Sequence, residues 1–274
     1  MQVLKFGGSS LGSASAISRA VEIVSRALEH DRTIMVCSAI RGCTDTLIEI
    51  GHRAADGDES FRILLAELRQ RHHTIIEELL PEVFRDKVTG TVDGLFDQLG
   101  DTVQGIFLLR EISRTSLEAV QSYGELFLTK IVFAKVSSLG FSCKWLDARE
   151  IVKTSSGHAD KEATYSYVRE AIDNHTSLFV VPGFIASDEH GRVSTLGRGG
   201  SDYTASLLAV GIKARLVEIW TDVPGIMTAD PKVVPTARTI RNISYTAAQE
   251  LSHFGAKVIY PPTIQPVVEE GIPI

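Results

Sequence analysis

Two glycine-rich loops contain the residues best suited to holding an anionic ligand. The first, Lys5-Phe-Gly-Gly-Ser-Ser-Leu-Gly12, joins a short apolar run to a helical pattern. A glycine turn at a helix N-terminus offers free N–H groups and a positive dipole end, which suit phosphate. The spacing is that of neither a P-loop nor a dinucleotide-binding fingerprint. A phosphate site with Lys5 directed into it, and a tight turn beside a solvated lysine, therefore explain this loop equally well.

The second loop, Gly197-Arg-Gly-Gly-Ser-Asp202, precedes another helical pattern. Its glycines allow close approach of the backbone, and the Arg198 guanidinium suits a carboxylate or a phosphate. A dinucleotide fingerprint would have glycine at position 202, which argues against a Rossmann site. Asp202 as an ordinary helix N-cap is the alternative, but three glycines around one arginine favour a ligand site.

Other candidates are less specific. Thr221 and Asp222 follow an apolar run, where open α/β sheets bind ligands, although a Pro-Gly turn explains them as well. Lys257 lies just beyond a predicted helix and suits a capping cation. Glu125 interrupts an otherwise apolar helix, as either a buried carboxylate or a solvent-facing charge, and the pair His72-His73 is predicted to lie on the surface.

The elements that position these residues begin with a βαβ unit. Val3–Phe6 and Thr33–Ser38 are apolar runs separated by a helical pattern, which implies a parallel sheet. Residues 60–139 are mostly helical, with a first helix ended by Pro81 and two further helices at Gly94–Ile112 and Ser116–Val136.

Strand patterns return in the second half of the chain. Leu178–Val181 is a strand, and a hairpin, a helix and another strand are predicted at Phe184–Ala186 with Val193–Leu196, Tyr203–Val210 and Arg215–Trp220. A last helix is predicted from Thr246 to Phe254, with Thr246 and Gln249 at capping-box spacing and Gly255 ending it. This alternation favours a doubly wound, layered α/β fold.

Composition excludes several classes of protein. Of the 274 residues, 44% are hydrophobic and 23% are charged, which excludes disordered and fibrous chains. A net charge of -6 disfavours broad electrostatic binding of nucleic acid or of an anionic membrane. Three cysteines without a C-x-x-C pair, no signal peptide and no long apolar run predict a cytoplasmic protein without a metal site.

Six stretches, in this order along the chain, resemble the catalytic domain of the aspartokinases, within the amino acid kinase superfamily. They are Lys5-Phe-Gly-Gly-Ser-Ser10, Ser38-Ala-Ile-Arg-Gly-Cys-Thr-Asp45, Ser122-Tyr-Gly-Glu125, Thr195-Leu-Gly-Arg-Gly-Gly-Ser-Asp-Tyr-Thr204, Trp220-Thr-Asp-Val-Pro-Gly-Ile226 and Phe254-Gly-Ala-Lys257. The helical stretch between 60 and 139 is similar to the larger members, including those fused to homoserine dehydrogenase.

The resemblance implies a three-layer amino acid kinase fold, an open and mainly parallel sheet flanked by helices. Residues 1–274 would form the catalytic domain, with an acceptor-binding lobe at about 1–195 and a nucleotide-binding lobe at about 196–274. By the same similarity, the complete protein would continue into regulatory ACT domains, which this chain lacks, and would form a homodimer or a larger assembly.

The implied reaction is ATP- and Mg²⁺-dependent phosphorylation of the side-chain carboxylate of L-aspartate. Carried over by position, Lys5 and Asp202 would be catalytic. The remaining residues would bind the amino acid (Ser38, Thr44, Glu125, Arg198) or ATP (Gly7, Gly8, Thr221, Asp222, Lys232, Lys257). Two positions depart from the family pattern: Met227 stands where many relatives have an aromatic residue, and Lys232 stands where many have arginine.

Two alternatives stay open from the sequence. One is a kinase for another small acid, such as glutamate or N-acetylglutamate. The other is a non-catalytic amino-acid-binding module with a regulatory role.

Overall fold

The computed structural model describes residues 1–230, 233–253 and 260–274. The helices in these residues are α1 (Ala14–Leu28), α2 (Cys43–Asp56), α3 (Phe61–Leu79), α4 (Glu82–Leu109), α5 (Arg114–Ser138), α6 (Ala148–Ile151), α7 (Lys161–Ala171), α8 (Gly200–Gly211), α9 (Tyr245–His253) and α10 (Pro261–Glu269). The strands are β1 (Gln2–Phe6), β2 (Thr33–Cys37), β3 (Cys143–Trp145), β4 (Lys153–Ser155), β5 (His158–Asp160), β6 (Leu178–Pro182), β7 (Ile185–Ser187), β8 (Val193–Thr195) and β9 (Val217–Trp220).

Five parallel strands form the main sheet, in the order β3-β6-β2-β1-β9. The predicted βαβ unit is confirmed, since β1 and β2 pair in register from Gln2 opposite Thr33 to Phe6 opposite Cys37. Strands β1, β2 and β6 are buried along their whole length, as expected for a sheet covered on both faces. One core cluster includes residues of α1–α5 and the other includes residues of α8 and α10, so helices flank the sheet.

The predicted hairpin is present, with β7 and β8 pairing antiparallel, but it belongs to a second, four-stranded sheet with order β5-β4-β7-β8. Three-residue strands such as β4 and β5 are too short to show a periodicity of two, so the sequence does not reveal this sheet.

The start of α4 and the capping residue of α9 differ from the prediction. Helix α4 begins at Glu82, not at Gly94, because helix packing outweighs the helix-weakening effect of Gly90 and Gly94. At α9 the capping side chain is that of Ser244, whose Oγ accepts a hydrogen bond from Ala247 N at 3.2 Å, and not that of Thr246. The predicted end of this helix, Phe254 and Gly255, lies outside the described residues.

The prediction of a surface histidine pair is wrong for His72. Its side chain is fully buried, with ring centroids 5.5 Å from Phe96 and 5.1 Å from Phe127. Nδ1 donates to the Leu68 carbonyl at 2.8 Å, and Nε2 has no hydrogen-bond partner in the part of the chain that the structure describes. Because charged residues neighbour His72 on the same helix turn, the sequence did not indicate that it lies on the apolar face. His73 is half-buried and contacts Asp93.

None of the helices within the described residues is both long and apolar enough to cross a lipid bilayer.

Burial makes His72 a determinant of acid stability. Its burial lowers the pKa of the imidazole from 6.5 to about 4. As the pH falls from 6.5 towards 4, the unfolded chain binds a proton at this side chain and the folded chain does not, so the contribution of His72 to the free energy of unfolding decreases. Between pH 6.5 and pH 5 the loss amounts to roughly 2 kcal/mol.

We expect the free energy of unfolding of His72→Phe, relative to that of the wild type, to increase by roughly 2 kcal/mol from pH 6.5 to pH 5, measured by urea unfolding monitored by circular dichroism. The exposed His190 provides the control, because the difference between His190→Gln and the wild type should not change with pH in this way. A difference between His72→Phe and the wild type that is the same at both pH values would contradict the assignment.

Candidate active site

A cavity of about 280 Å³, here called the central cavity, brings together five of the predicted site residues. It lies where the carboxyl ends of β1, β2 and β6 meet the first turn of α8, the usual ligand position in open α/β sheets. Its lining residues are Lys5, Ser38, Thr44, Glu125, Phe184, Gly197, Gly199, Gly200, Ser201 and Asp202.

An ion pair joins the main sheet to α8 at this cavity. Nζ of Lys5 lies 2.6 Å from Oδ1 of Asp202, and only 11% and 13% of the two side chains are exposed. Lys5 projects from β1, flanked by β2 and β9, so its backbone is fixed on both sides. Asp202 is in the first turn of α8, whose N-cap is Gly199 with φ +70°, so the alternative of Asp202 as the N-cap is wrong.

Glu125 is a buried carboxylate that also lines the central cavity. Its residue is 3% exposed, and Oε1 accepts a hydrogen bond from Ala39 N at 3.1 Å. Oε2 is buried and has no hydrogen-bond partner among the described residues. Burial raises the pKa of Glu125 to about 8, and the Ala39 N–H only partly opposes this effect. The solvent-facing alternative is therefore wrong, and a cationic partner would satisfy both the charge and the free oxygen.

Gly124 explains how α5 comes close enough to present Glu125. A β-carbon at position 124 would lie 2.9 Å from Cβ of Ala39 and 3.3 Å from Sγ of Cys43. Only glycine lets the helix contact the segment after β2 this closely, so the Tyr-Gly-Glu sequence positions the carboxylate.

The first glycine loop packs backbone against backbone on the segment after β2. A β-carbon at Gly8 would lie 2.7 Å from the Ala39 carbonyl oxygen, and Gly8 O accepts a hydrogen bond from Arg41 N at 3.2 Å. The N–H of Gly7 donates to the Trp220 carbonyl at 3.2 Å, which conflicts with its expected role as a phosphate donor. The N–H of Gly8 has no such partner in the described ranges and remains suited to that role.

Arg198 does not line the central cavity. Its side chain is exposed, with Cζ 5.6 Å from the ring centroid of Tyr260, and it borders a separate cavity of about 710 Å³. Its neighbours Gly197 and Gly199 do line the central cavity, and both have positive φ. Arg198 is therefore next to the site, but its side chain is not beside Glu125.

The predicted nucleotide residues are separated from the central cavity or are not described. Thr221 and Asp222 line a third cavity of about 280 Å³, with Thr221 Oγ1 donating to Asp222 Oδ1 at 3.1 Å. Trp220, whose carbonyl accepts from Gly7 N, connects this cavity with the glycine loop. Lys232 and Lys257 lie outside the described residues.

The sequence did not reveal Phe184 as a site residue. It lines the central cavity with φ +67°, a conformation that rarely suits a bulky side chain. Its apolar character predicted only a strand residue, and no local pattern distinguishes a left-handed phenylalanine from an extended one.

The burial of Glu125 implies a cost to the empty protein. Between about pH 4.5 and pH 8 the unfolded chain ionises this carboxyl while the folded chain keeps it protonated, so the free energy of unfolding decreases as the pH rises. We expect the free energy of unfolding of Glu125→Gln, relative to that of the wild type, to increase by about 1.4 kcal/mol per pH unit in this window.

The measurement is urea unfolding of both proteins without ligand at several pH values from 5 to 8. The slope of the difference is the readout, because a constant packing difference between Glu and Gln does not affect it. Glu67→Gln, an exposed change on α3, is expected to show no slope, and a flat difference for Glu125→Gln would exclude a raised pKa.

Comparison with known proteins identifies relatives along the whole chain. The chain is 34% identical over 279 residues to lysine-sensitive aspartokinase 3 of Escherichia coli, covering 99% of this chain and 60% of that protein. It is 30% identical over 278 residues to a chloroplastic bifunctional aspartokinase/homoserine dehydrogenase of Arabidopsis thaliana, of which it covers 30%. The chain thus spans between about a third and three fifths of the length of these relatives.

Solved structures agree with these matches. E. coli aspartokinase III in complex with lysine and aspartate superposes with a TM-score of 0.87 at 33% identity, over 99% of this chain and 60% of that one. The same enzyme with aspartate and ADP gives 0.85 at 33% identity, over 98% of this chain and 60% of that one.

The expected three-layer fold with a mainly parallel sheet is thereby confirmed. The amino acid kinase family model matches residues 1–274, and this chain belongs to the amino acid kinase family.

Proposed function

We propose that this chain is the catalytic part of an aspartate kinase, which transfers the γ-phosphoryl group of ATP to the side-chain carboxylate of L-aspartate. The product is 4-phospho-L-aspartate, formed in the first step of lysine, threonine and methionine biosynthesis. One observation carries the proposal: the free Oε2 of buried Glu125 shares a cavity with the Lys5–Asp202 ion pair. The aspartokinases among the relatives support it.

The cavity suits an acceptor with a positive and a negative end. Glu125 binds the substrate ammonium, which supplies the partner that Oε2 lacks. Arg198 leaves Tyr260 and binds the α-carboxylate, a movement for which the two flanking glycines with positive φ allow backbone rotation. Ser38 and Thr44 contact the acceptor and the transferring phosphate.

The transfer requires no general base, because the carboxyl of free aspartate has a pKa near ~3.9 and is ionised at neutral pH. The barrier comes from repulsion between this carboxylate and the triphosphate, so positioning and charge neutralisation provide catalysis. Lys5 neutralises the charge on the transferring group, Asp202 holds its ammonium in place, and the Gly8 N–H binds a phosphate oxygen.

The nucleotide is bound as Mg–ATP, with Thr221 and Asp222 on the side of the third cavity and Lys232 and Lys257 at the phosphates. No group of three or more potential metal ligands occurs in the described ranges. In the proposed reaction Mg²⁺ enters as part of the substrate, held mainly by phosphate oxygens and by few protein ligands. Residues from about 196 onward supply the nucleotide-binding lobe, and the preceding residues supply most of the acceptor lobe.

A kinase for N-acetylglutamate is the second candidate, and the geometry disfavours it. An N-acylated acid has no ammonium to pair with Glu125. A free glutamate kinase differs from an aspartate kinase by one methylene of the acceptor, and a non-catalytic module would not need the Lys5–Asp202 pair.

The first test of the proposal is turnover. We expect ADP release that depends on L-aspartate, with a hydroxamate formed when hydroxylamine traps the acyl phosphate. The purified chain is assayed with aspartate, glutamate and N-acetylglutamate, and with no amino acid as the control. Preference for either of the other acids would refute aspartate as the substrate, and absence of turnover with all three would favour a binding module.

Lys5 provides the second test. If it stabilises charge that develops during transfer, Lys5→Ala lowers kcat by at least 100-fold, about 3 kcal/mol, while the KM for ATP changes less. Lys87→Ala, an exposed lysine on α4, serves as the matched control and retains the wild-type kcat. A wild-type kcat in Lys5→Ala would mean that Lys5 is only a structural partner of Asp202.

A further inference from the structure

Phe184 supplies the only apolar side chain, glycines aside, among the described residues that line the central cavity. Each polar or charged lining residue either has a role in the proposed reaction or is adjacent in sequence to a residue with such a role. Phe184 has no role in that reaction. Its backbone conformation is nevertheless unusual, with φ +67°, and such outliers concentrate at functional sites.

The backbone of Phe184 is fixed on both sides. Its N–H donates to Oγ1 of Thr204 at 3.0 Å, and its carbonyl accepts from Leu196 N at 2.8 Å. The preceding residue, Gly183, fits against α8 so closely that a β-carbon there would lie 2.7 Å from Cβ of Ser201. These contacts connect Phe184 to α8 and to the strand that leads into the second glycine loop.

The ring itself rests on the start of α8. A β-carbon at Gly200 would lie 2.7 Å from Cδ2 of Phe184 and 3.1 Å from its Cα. Residue 200 must therefore be glycine while the ring occupies this position. Asp202, the partner of Lys5, follows two residues later, so the ring of Phe184 and the ammonium of Lys5 both contact the first turn of α8.

We propose that Phe184 determines the chain length of the acceptor, admitting a four-carbon amino diacid and excluding the five-carbon homologue. This inference rests on the proposed function. Glu125 and Lys5 fix the two ends of the acceptor, since the first is bonded to Ala39 N and the second to Asp202. An additional methylene between two fixed ends must bend sideways, and Phe184 lines the cavity with its ring packed against Gly200, another lining residue.

The size of the effect follows from the volume of one methylene. Rejection of a substrate by one methylene group in a shaped pocket amounts to about 10- to 200-fold in kcat/KM. Removing the ring opens space for that methylene without touching the groups that bind the ammonium or the phosphoryl group. The loss of discrimination should therefore appear in the ratio for the two acids and not in the KM for ATP.

The experiment compares Phe184→Ala and Phe184→Leu with the wild type. Both changes keep a β-carbon at the left-handed position, so the backbone strain is similar and mainly the ring differs. We expect kcat/KM for aspartate divided by kcat/KM for glutamate to fall about tenfold or more in Phe184→Ala. A smaller fall is expected in Phe184→Leu, which fills part of the space. Phe84→Leu, on α4 and outside the central cavity, should leave the ratio unchanged.

The outcomes separate this inference from the proposed function. An unchanged ratio, including an equal loss with both acids, would assign Phe184 a structural role and overturn the inference. If Phe184→Ala fails to fold, the ratio in Phe184→Leu decides. A wild type without aspartate-dependent turnover would refute the proposed function. Calorimetric affinities of the same proteins for aspartate and glutamate would then test Phe184 separately, and an unchanged affinity ratio would overturn it.

Discussion

The ion pair between Lys5 and Asp202 is the interaction on which the central cavity depends. A lysine on a central strand of a parallel sheet is surrounded by apolar neighbours, and without a partner its charge would be costly to bury. Asp202 supplies that partner at 2.6 Å and so fixes the start of α8 against β1. At this helix start Gly199 adopts the left-handed conformation, and Gly200 has no β-carbon to collide with the ring of Phe184.

The same pair leaves Glu125 without a cation. Lys5 is the only cationic side chain among the described residues that line the cavity, but its ammonium is held by Asp202. Glu125 makes no ion pair in the part of the chain that the structure describes. An empty cavity therefore contains one neutralised pair and one carboxyl whose ionised form is disfavoured. A ligand that brings an ammonium reverses this preference. Because Lys5 pairs with Asp202 and not with Glu125, the site favours a ligand that brings a positive charge to Glu125.

The sequence predicted those parts of the molecule that follow from local patterns. Lys5 and Ser38 lie at the carboxyl ends of the parallel strands β1 and β2, which could be expected from the βαβ pattern. Thr44, Glu125 and Asp202 reach the same cavity from helices, and only the motifs indicated that they belong to it. The side-chain direction of Arg198 was not predictable, since glycines on both sides allow several conformations and Tyr260 is distant in the sequence.

The failures at His72 and Phe184 have a different cause, because both depend on tertiary contacts. The ring of His72 packs against Phe96 of α4 and Phe127 of α5, and the ring of Phe184 packs against Gly200 of α8.

Two buried titratable groups make the pH dependence of the unliganded fold asymmetric. His72 lowers stability as the pH falls from 6.5 to about 4, and Glu125 lowers it as the pH rises from 4.5 to about 8. Between 4.5 and 6.5 the two slopes have opposite signs and similar size, so their sum is nearly flat there. Above 6.5 only the Glu125 contribution remains of the two.

Of these two residues, it is therefore Glu125, which lines the cavity, that destabilises the unliganded fold at physiological pH. A ligand ammonium bound to Glu125 would restore this stability. His72 lies in the packed core, where no ligand can compensate the cost of its burial. The burial of His72 is thus a matter of core packing, whereas the cost of burying Glu125 is offset only when a ligand binds.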